Sequence, residues 1–369
     1  MKAQALKRPD RGPQAASPSQ PARGALVYSD DGRPLIDFHN AAGAVLLGHA
    51  DPDVEAAAAA PGGDTLRLRA GVAEALLSLM PLAQAVYLFN GLQPARRTAL
   101  DIVRNASARD RVLTCYAGRS GPDAVPYGDL EALERALASS AVAAVLVEPV
   151  GLAPPCPAYL AGVREAVDRH RAFLVFDETL SAFRVHEGGA QTLFNIRPDL
   201  TLIGESLANG RPIAALTGDP ILLATAAPAM PPGVSSLAAA AAVLARLAEE
   251  PVVTSLAVRG AEVQAELSAR ISRHGAEGAI AVAGDPTMSA LVFAEGHAQL
   301  ADLCARELEA HGVRCPDRHF ITYAHGDREI ARLLEAYDRI LPVLSRAAAG
   351  EEGVVRLHRK RLEREFAAQ

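Results

Sequence analysis

Short apolar runs alternate with amphipathic stretches through the middle of the chain. Apolar runs of four or five residues are typical of strands buried on both faces, and they predict strands at 86–89, 111–115, 143–147, 173–176 and 200–203. Between them, apolar residues recur at helical spacing and predict helices at 94–104, 130–137 and 161–170. This alternation predicts an α/β fold, in which helices cover both faces of a mainly parallel sheet.

The carboxyl ends of the predicted strands carry the first candidate site residues. In parallel sheets, ligands bind beyond these ends, and Glu148, Asp177 and Glu205 all fall there. Two carboxylates held close in a partly dry pocket have pKa values that are pushed apart, so Asp177 and Glu205 are a candidate acid–base pair. The alternative is that Asp177 pairs with Arg184 or a backbone donor while Glu205 points to water. Glu148 is interpreted as a structural hydrogen-bond acceptor.

The flanking segments complete the predicted organisation. Residues 1–23 are rich in Pro, Ser, Gln and Arg, so we expect a mobile arm. Residues 24–60 are expected to pack on the smaller domain and at the dimer interface, and residues 61–250 to form the large domain. Residues 251–348 predict a smaller C-terminal α+β domain, and residues 349–369 a charged tail.

Composition narrows the classes of partner. The chain has 369 residues, of which 50% are hydrophobic, and a formal net charge of −6. Mild acidity without basic runs argues against nucleic acid and against an anionic membrane surface as partners. No run approaches the roughly 18 apolar residues of a membrane span, and the N-terminus has no apolar signal core, so we expect a cytoplasmic protein.

Cysteine usage gives no sign of a metal site or a disulfide framework. The cysteines lie far apart and lack Cys-x-x-Cys spacing: Cys115, Cys156, Cys304 and Cys315. We therefore expect reduced thiols. No set of His, Asp and Glu residues has metal-ligand spacing either, so no metal is expected.

Several motifs follow one another in order along most of the chain. They are Asp31–Gly32 with Ile36–Phe38, Gly48–Pro52, Glu148–Val150, Phe176–Glu178 with Phe183–Arg184, Arg197–Gly204 and Ala324–Asp327. Together they resemble class III aminotransferases, and most closely the glutamate-1-semialdehyde aminomutase branch. The resemblance implies a fold type I transferase that depends on pyridoxal phosphate (PLP), with its active site at the interface of a homodimer.

The resemblance also implies roles for individual residues. Asp177 stands where the family has the aspartate that pairs with the pyridine nitrogen of PLP, and Tyr116 where an aromatic ring packs on the cofactor. Tyr116 is read either as such a platform or as a core aromatic. Glu205 stands where the family has the lysine that forms a Schiff base with PLP, and a carboxylate cannot form an imine. The only lysines of the chain are Lys2, Lys7 and Lys360.

The phosphate-binding positions of the family differ as well. Small residues there let backbone N–H groups at a helix N-terminus bind the phosphate. Here the loop contains Gly91, Leu92, Gln93 and Pro94, which add bulk and remove a donor. A threonine that the partner subunit supplies in the family aligns with about Pro231.

These departures lead to three hypotheses about function, and to the expectation that the chain has no cofactor, PLP being implied by resemblance only. In the first, the protein is a non-catalytic homologue, which forms a homodimer or a heterodimer with an intact class III relative. In the second, the old pocket takes a small amine-bearing or carrier-tethered ligand and uses Glu205 and Asp177 as acid and base without PLP. In the third, PLP is bound non-covalently against Tyr116 and Asp177.

Overall fold

The computed structural model describes residues 21–350, apart from residues 119, 140, 154, 155 and 228. Most of the predicted arm and nearly all of the predicted charged tail therefore lie outside the described residues. The chain divides into two units. Among the described residues, the larger unit comprises residues 44–46 and 51–255, and the smaller comprises residues 21–43, 47–50 and 256–350.

Strands and helices alternate through most of the described chain. The strands are β1 (Leu26–Tyr28), β2 (Pro34–Asp37), β3 (Ala85–Phe89), β4 (Arg111–Cys115), β5 (Val142–Val147), β6 (Phe173–Asp177), β7 (Leu200–Ile203), β8 (Ala214–Gly218), β9 (Ile280–Ala283), β10 (Met288–Phe293), β11 (Val313–Arg314) and β12 (His319–Phe320). The helices are α1 (Pro52–Ala59), α2 (Thr65–Leu79), α3 (Leu92–Ser107), α4 (Leu130–Ala138), α5 (Pro157–Arg169), α6 (Gly189–Phe194), α7 (Pro220–Leu223), α8 (Val234–Glu249), α9 (Val252–Arg273), α10 (Gln299–Ala310) and α11 (Asp327–Ala348). A 3-10 turn at Glu205–Ala208 follows β7.

The larger unit is built on a six-stranded sheet in the order β3-β8-β7-β6-β5-β4. Strands β4 to β7 are parallel to one another, whereas β8 pairs antiparallel with both β7 and β3. The predicted α/β fold with a mainly parallel sheet is confirmed. No pattern in the sequence clearly indicates β8, because its Ala-Ala-Leu-Thr-Gly run contains residues of low strand propensity.

Helices cover both faces of this sheet. On β5, Val145 and Val147 belong to a core shared with α4 and α5, whereas Ala144 and Leu146 belong to a core shared with α3. This is the period-two alternation of a strand with two buried faces. All six residues of β5 are buried, so polar groups that meet a ligand have to lie at the strand ends.

Helix α1 belongs to the larger unit, although the sequence predicts that residues 24–60 pack on the smaller domain. Two observations explain the difference. Helix α1 packs against α8, and Arg246 of α8 forms ion pairs with Asp51 at 3.3 Å and Asp53 at 3.0 Å, at the start of α1.

The smaller unit contains two three-stranded sheets, β1-β2-β11 and β12-β10-β9. The N-terminal strands therefore pair with a strand from the C-terminal part of the chain. The buried side chain of Asp37, at the end of β2, lies 2.8 Å from His49 Nε2. His319 is also buried. Its Nε2 atom lies 2.7 Å from Tyr337 Oη, and its Nδ1 atom lies 3.2 Å from the Ser289 carbonyl oxygen.

None of the helices between residues 21 and 350 combines the length and the apolar character that crossing a membrane requires. The cytoplasmic location stays a prediction. Of the four cysteines, three are buried and Cys156 is exposed, and none forms a disulfide in the described part of the chain.

Candidate functional site

The candidate residues cluster at one edge of the six-stranded sheet. Tyr116 directly follows β4, Glu148 follows β5, Asp177 ends β6 and Glu205 follows β7. These four strands are adjacent and parallel, so their carboxyl ends meet at the same edge. The structure thus places the candidates drawn from the strand ends at a common edge.

Asp177 is the most heavily bonded of these residues. It is 3% exposed, and one of its oxygens accepts hydrogen bonds from Thr179 Oγ1 at 2.7 Å and Thr179 N at 3.3 Å. The other oxygen accepts from Tyr116 Oη at 2.6 Å and forms an ion pair with Arg96 Nη2. A buried carboxylate is stable only with such compensation. Because both oxygens are occupied, Asp177 is poorly placed to act as a base, and the acid–base pair with Glu205 stays a prediction.

Tyr116 is held as a neutral donor. Burial raises its pKa well above the usual range, and the negative charges of Asp177 and Glu148 act in the same direction. The hydroxyl therefore keeps its proton at ordinary pH and donates a hydrogen bond to Asp177. The ring also packs against the core, and a role for Tyr116 as a platform for the cofactor stays a prediction.

Arg96 is the site residue that the sequence did not indicate. It lies on α3, and its side chain is 30% exposed at the ion pair with Asp177. Its Nε atom is buried and has no hydrogen-bond partner among the described residues. One feature of the sequence could have indicated a cation here. A buried carboxylate at a strand end is stabilised by a cation, and α3, which follows the candidate loop at Gly91, carries arginines.

The N-terminus of α3 forms the other end of the site. Gly91 precedes the helix at φ +94°, and a Cβ atom built on it meets nothing within 4 Å. Gly91, the N-cap residue, has no side chain to cap the helix. The backbone N–H groups of Leu92 and Gln93 are therefore available to an acceptor, whereas Pro94 has none. The helix begins at Leu92 rather than at Pro94 as predicted, because proline is tolerated in a first turn. Gln93 is exposed.

Pro231 lies close to this loop in the same chain. The neighbouring Met230 accepts a hydrogen bond from Asn90 N at 3.4 Å through its carbonyl oxygen, and its sulfur lies 3.7 Å from Asn90 Nδ2. Pro231 itself is exposed. The predicted position of Pro231 beside a partner's phosphate site stays a prediction.

Glu205 opens the 3-10 turn that follows β7. The residue before it, Gly204, lies against Thr179, because a Cβ atom on Gly204 would stand 3.1 Å from the Thr179 carbonyl oxygen. Glu205 is therefore one residue away from the group that binds Asp177. Its side chain is half-buried and has no hydrogen-bond or ion-pair partner among the described residues.

Glu178, the residue after Asp177, holds the segment that follows the site. It is buried, and it accepts hydrogen bonds from Ser181 Oγ at 3.1 Å and from Ala190 N and Gln191 N at the start of α6. Burial raises its pKa to about 7 despite these donors. Glu178 thus fixes the segment that follows Asp177 by capping α6.

Comparisons with known proteins agree on one relationship. The family model of Aminotransferase class-III matches residues 121–320. The chain is 31% identical over 253 residues to glutamate-1-semialdehyde 2,1-aminomutase of Heliobacterium modesticaldum, a match that covers 57% of this chain and 58% of the relative. It is 35% identical over 251 residues to the aminomutase of Roseiflexus castenholzii, covering 56% and 58%. The chain thus spans less than two thirds of the length of these relatives.

A solved structure extends the likeness to nearly the whole fold. The FumI protein of Sphingopyxis sp. MTA144, solved in its PLP internal aldimine form, matches with a TM-score of 0.78 at 25% identity, over 95% of this chain and 93% of that chain. The expectation that the chain has no cofactor is therefore wrong, since the family and a structure solved with PLP both point to PLP. A missing Schiff-base lysine does not by itself exclude the cofactor, because ring and phosphate contacts can also bind it.

Proposed function

Because the chain belongs to the class III aminotransferase family, we propose that it binds PLP reversibly, without a lysine bond, and does not carry out ordinary transamination. One observation carries this proposal. Glu205 stands directly after β7 at the edge of the sheet where the family has its lysine, and the 369-residue chain contains only Lys2, Lys7 and Lys360. None of the three lies among the described residues.

The residues present fit a non-covalently bound cofactor. The unpartnered Arg96 Nε and the uncapped N-terminus of α3 offer donors to a phosphate. The open space at Gly91 leaves room for close approach to the backbone. Tyr116 and Asp177 lie at the strand ends on the same edge, where they would meet the ring. PLP, when bound, supplies an electron sink for charge that develops on an attached substrate.

The ion pair between Arg96 and Asp177 is a second reason to expect altered chemistry. In the family that the chain resembles, the aspartate keeps the pyridine nitrogen protonated. Here a guanidinium from the same chain already neutralises that carboxylate. Glu205 cannot shuttle a proton as the family's lysine does, and Asp177 is already neutralised. Both differences reduce the capacity for transamination, which favours a non-catalytic homologue or a partner subunit.

Equilibrium dialysis with PLP tests the proposal. We expect saturable binding that is removed by dialysis, with no turnover of amino donors. Arg96→Gln should weaken PLP binding about tenfold, because one charge-assisted donor to the phosphate is lost. The matched control is Arg97→Gln, an exposed residue of α3, which should bind as the wild type does. Turnover of an amino donor would overturn the proposal, as would the absence of PLP binding.

A further inference from the structure

The charges at the sheet edge leave one carboxylate without compensation. Asp177 is neutralised by Arg96. Glu148 lies close enough to raise the pKa of Tyr116 and has other contacts. Glu205 alone among these carboxylates has no hydrogen-bond or ion-pair partner in the described ranges, although it is half-buried. A half-buried carboxylate loses part of its hydration and gains from a cation that enters the site.

The position of Glu205 determines which group of a bound cofactor such a cation would belong to. By the resemblance, this is the position from which the family's lysine bonds to the aldehyde carbon of PLP. The contact between Gly204 and Thr179 keeps the start of the turn beside the residue that binds Asp177. A carboxylate forms no bond with an aldehyde. It forms a charge-assisted hydrogen bond with an ammonium group at the same carbon, which is the group that distinguishes pyridoxamine phosphate from PLP.

We propose that Glu205 makes this site selective for pyridoxamine phosphate, the amine form of the cofactor, over PLP. The inference rests on the proposed function, because it requires that the cofactor ring and phosphate bind at this edge of the sheet. Glu205 acts by pairing with the aminomethyl group, which remains protonated near neutral pH as primary amines of this kind do. The aldehyde offers only a neutral acceptor, which a carboxylate does not favour.

A ligand series with a constant ring and phosphate tests the selectivity. The ligands are pyridoxamine phosphate, pyridoxine phosphate and PLP, which carry an ammonium, a hydroxyl and an aldehyde on the same carbon. Dissociation constants are measured by equilibrium dialysis in an amine-free buffer at pH 7.5. We expect the wild type to bind pyridoxamine phosphate about tenfold more tightly than either of the others.

The variant series separates Glu205 from the rest of the site. In Glu205→Gln the preference for the amine should shrink to within about twofold, while binding of pyridoxine phosphate changes little. The control is Glu165→Gln, an exposed residue of α5, which removes the same charge and should keep the full preference. If PLP or pyridoxine phosphate binds as tightly as the amine, or if Glu205→Gln keeps the preference, this inference fails and the proposed function stands. If none of the three ligands binds, both fail.

Discussion

At the scale of single residues, the site depends on the hydrogen bonds and the ion pair that satisfy the buried carboxyl group of Asp177. Four donor contacts surround the carboxylate, from Tyr116, Arg96 and both donors of Thr179. Each hydrogen bond to a charged group contributes about 1.5–3 kcal/mol when its loss leaves the charge undersatisfied. The network therefore has to form on folding, whether or not a ligand is present.

Tyr116→Phe isolates one member of this network. Removing the hydroxyl deletes the 2.6 Å hydrogen bond to Asp177, and we expect the free energy of unfolding to fall by about 1.5–3 kcal/mol. The control is Tyr28→Phe in β1, whose hydroxyl makes no hydrogen bond among the described residues and whose loss should cost less than about 0.5 kcal/mol. Urea unfolding measures both. Equal stability of the two variants would show that the contact contributes nothing.

Glu178 predicts a pH dependence of stability. Its pKa in the folded chain is raised from 4.5 to about 7, chiefly by burial. Its stabilising contribution is thus fully present below pH 4.5 and is lost as the pH rises through 7. The free energy of unfolding of the wild type, relative to Glu178→Gln, should fall by about 2–3 kcal/mol between pH 5 and pH 8. A difference that stays constant over this range would disprove the buried titration.

The pattern at the strand ends indicates Asp177 but not Arg96, for a physical reason, and Tyr116 is indicated by the resemblance to the family. Strand ends are marked by a local pattern, since an apolar run stops at a polar residue. Arg96 lies on an amphipathic helix that carries several arginines, and nothing local distinguishes the one that turns inward. Its partner lies 81 positions away in the sequence. Only the packing of α3 on the sheet determines which arginine reaches Asp177.

At the scale of elements, helices carry glycines for opposite reasons. Gly260, in α9, is buried, and a Cβ atom there would stand 2.1 Å from the Pro286 carbonyl oxygen. Gly71, in α2, is exposed, and a Cβ atom there would meet nothing within 4 Å. Close approach of α9 to the chain at Pro286 thus requires glycine, whereas α2 merely tolerates it.

Alanine at both positions tests this distinction. Gly260→Ala should lower the free energy of unfolding by about 1–3 kcal/mol, because the backbone at Pro286 has to move. Gly71→Ala should raise it by about 0.5–1 kcal/mol, because alanine has the higher helix propensity. Thermal unfolding of the two variants beside the wild type is sufficient. A stabilising Gly260→Ala would show that the close approach is not required.

The elements that the sequence predicted and those it missed also differ physically. Strands β5 and β7 are apolar runs that are buried throughout, and β6 is apolar up to Asp177 and buried after Phe173. Short apolar runs between helical segments are typical of buried strands. The start of α3 and the existence of β8 depend on tertiary partners. Helix α3 remains regular although its first turn includes Pro94. Strand β8 is held by its backbone pairing with β3 on one side and β7 on the other.

At the scale of the whole molecule, assembly remains a prediction. The larger unit exposes several large apolar side chains, which a protein–protein contact would cover. They are Leu66, Leu193, Ile221, Met230 and Val234. We expect a homodimer, or a heterodimer with an intact class III relative. Sedimentation equilibrium at low micromolar concentration measures this, and a folded monomer that also ignores such a relative would exclude the partner-subunit hypothesis.

The central claim is that this chain binds its cofactor without a covalent bond. The direct test is to saturate the protein with PLP, reduce it with borohydride, denature it, and measure the pyridoxyl groups that remain on the chain by mass spectrometry. We predict saturable binding before reduction and no stoichiometric label afterwards, because Glu205 stands where the resemblance places the lysine, and a carboxylate forms no imine. One pyridoxyl group per chain, fixed at Lys2, Lys7, Lys360 or any residue between Gly24 and Leu344, would contradict the claim.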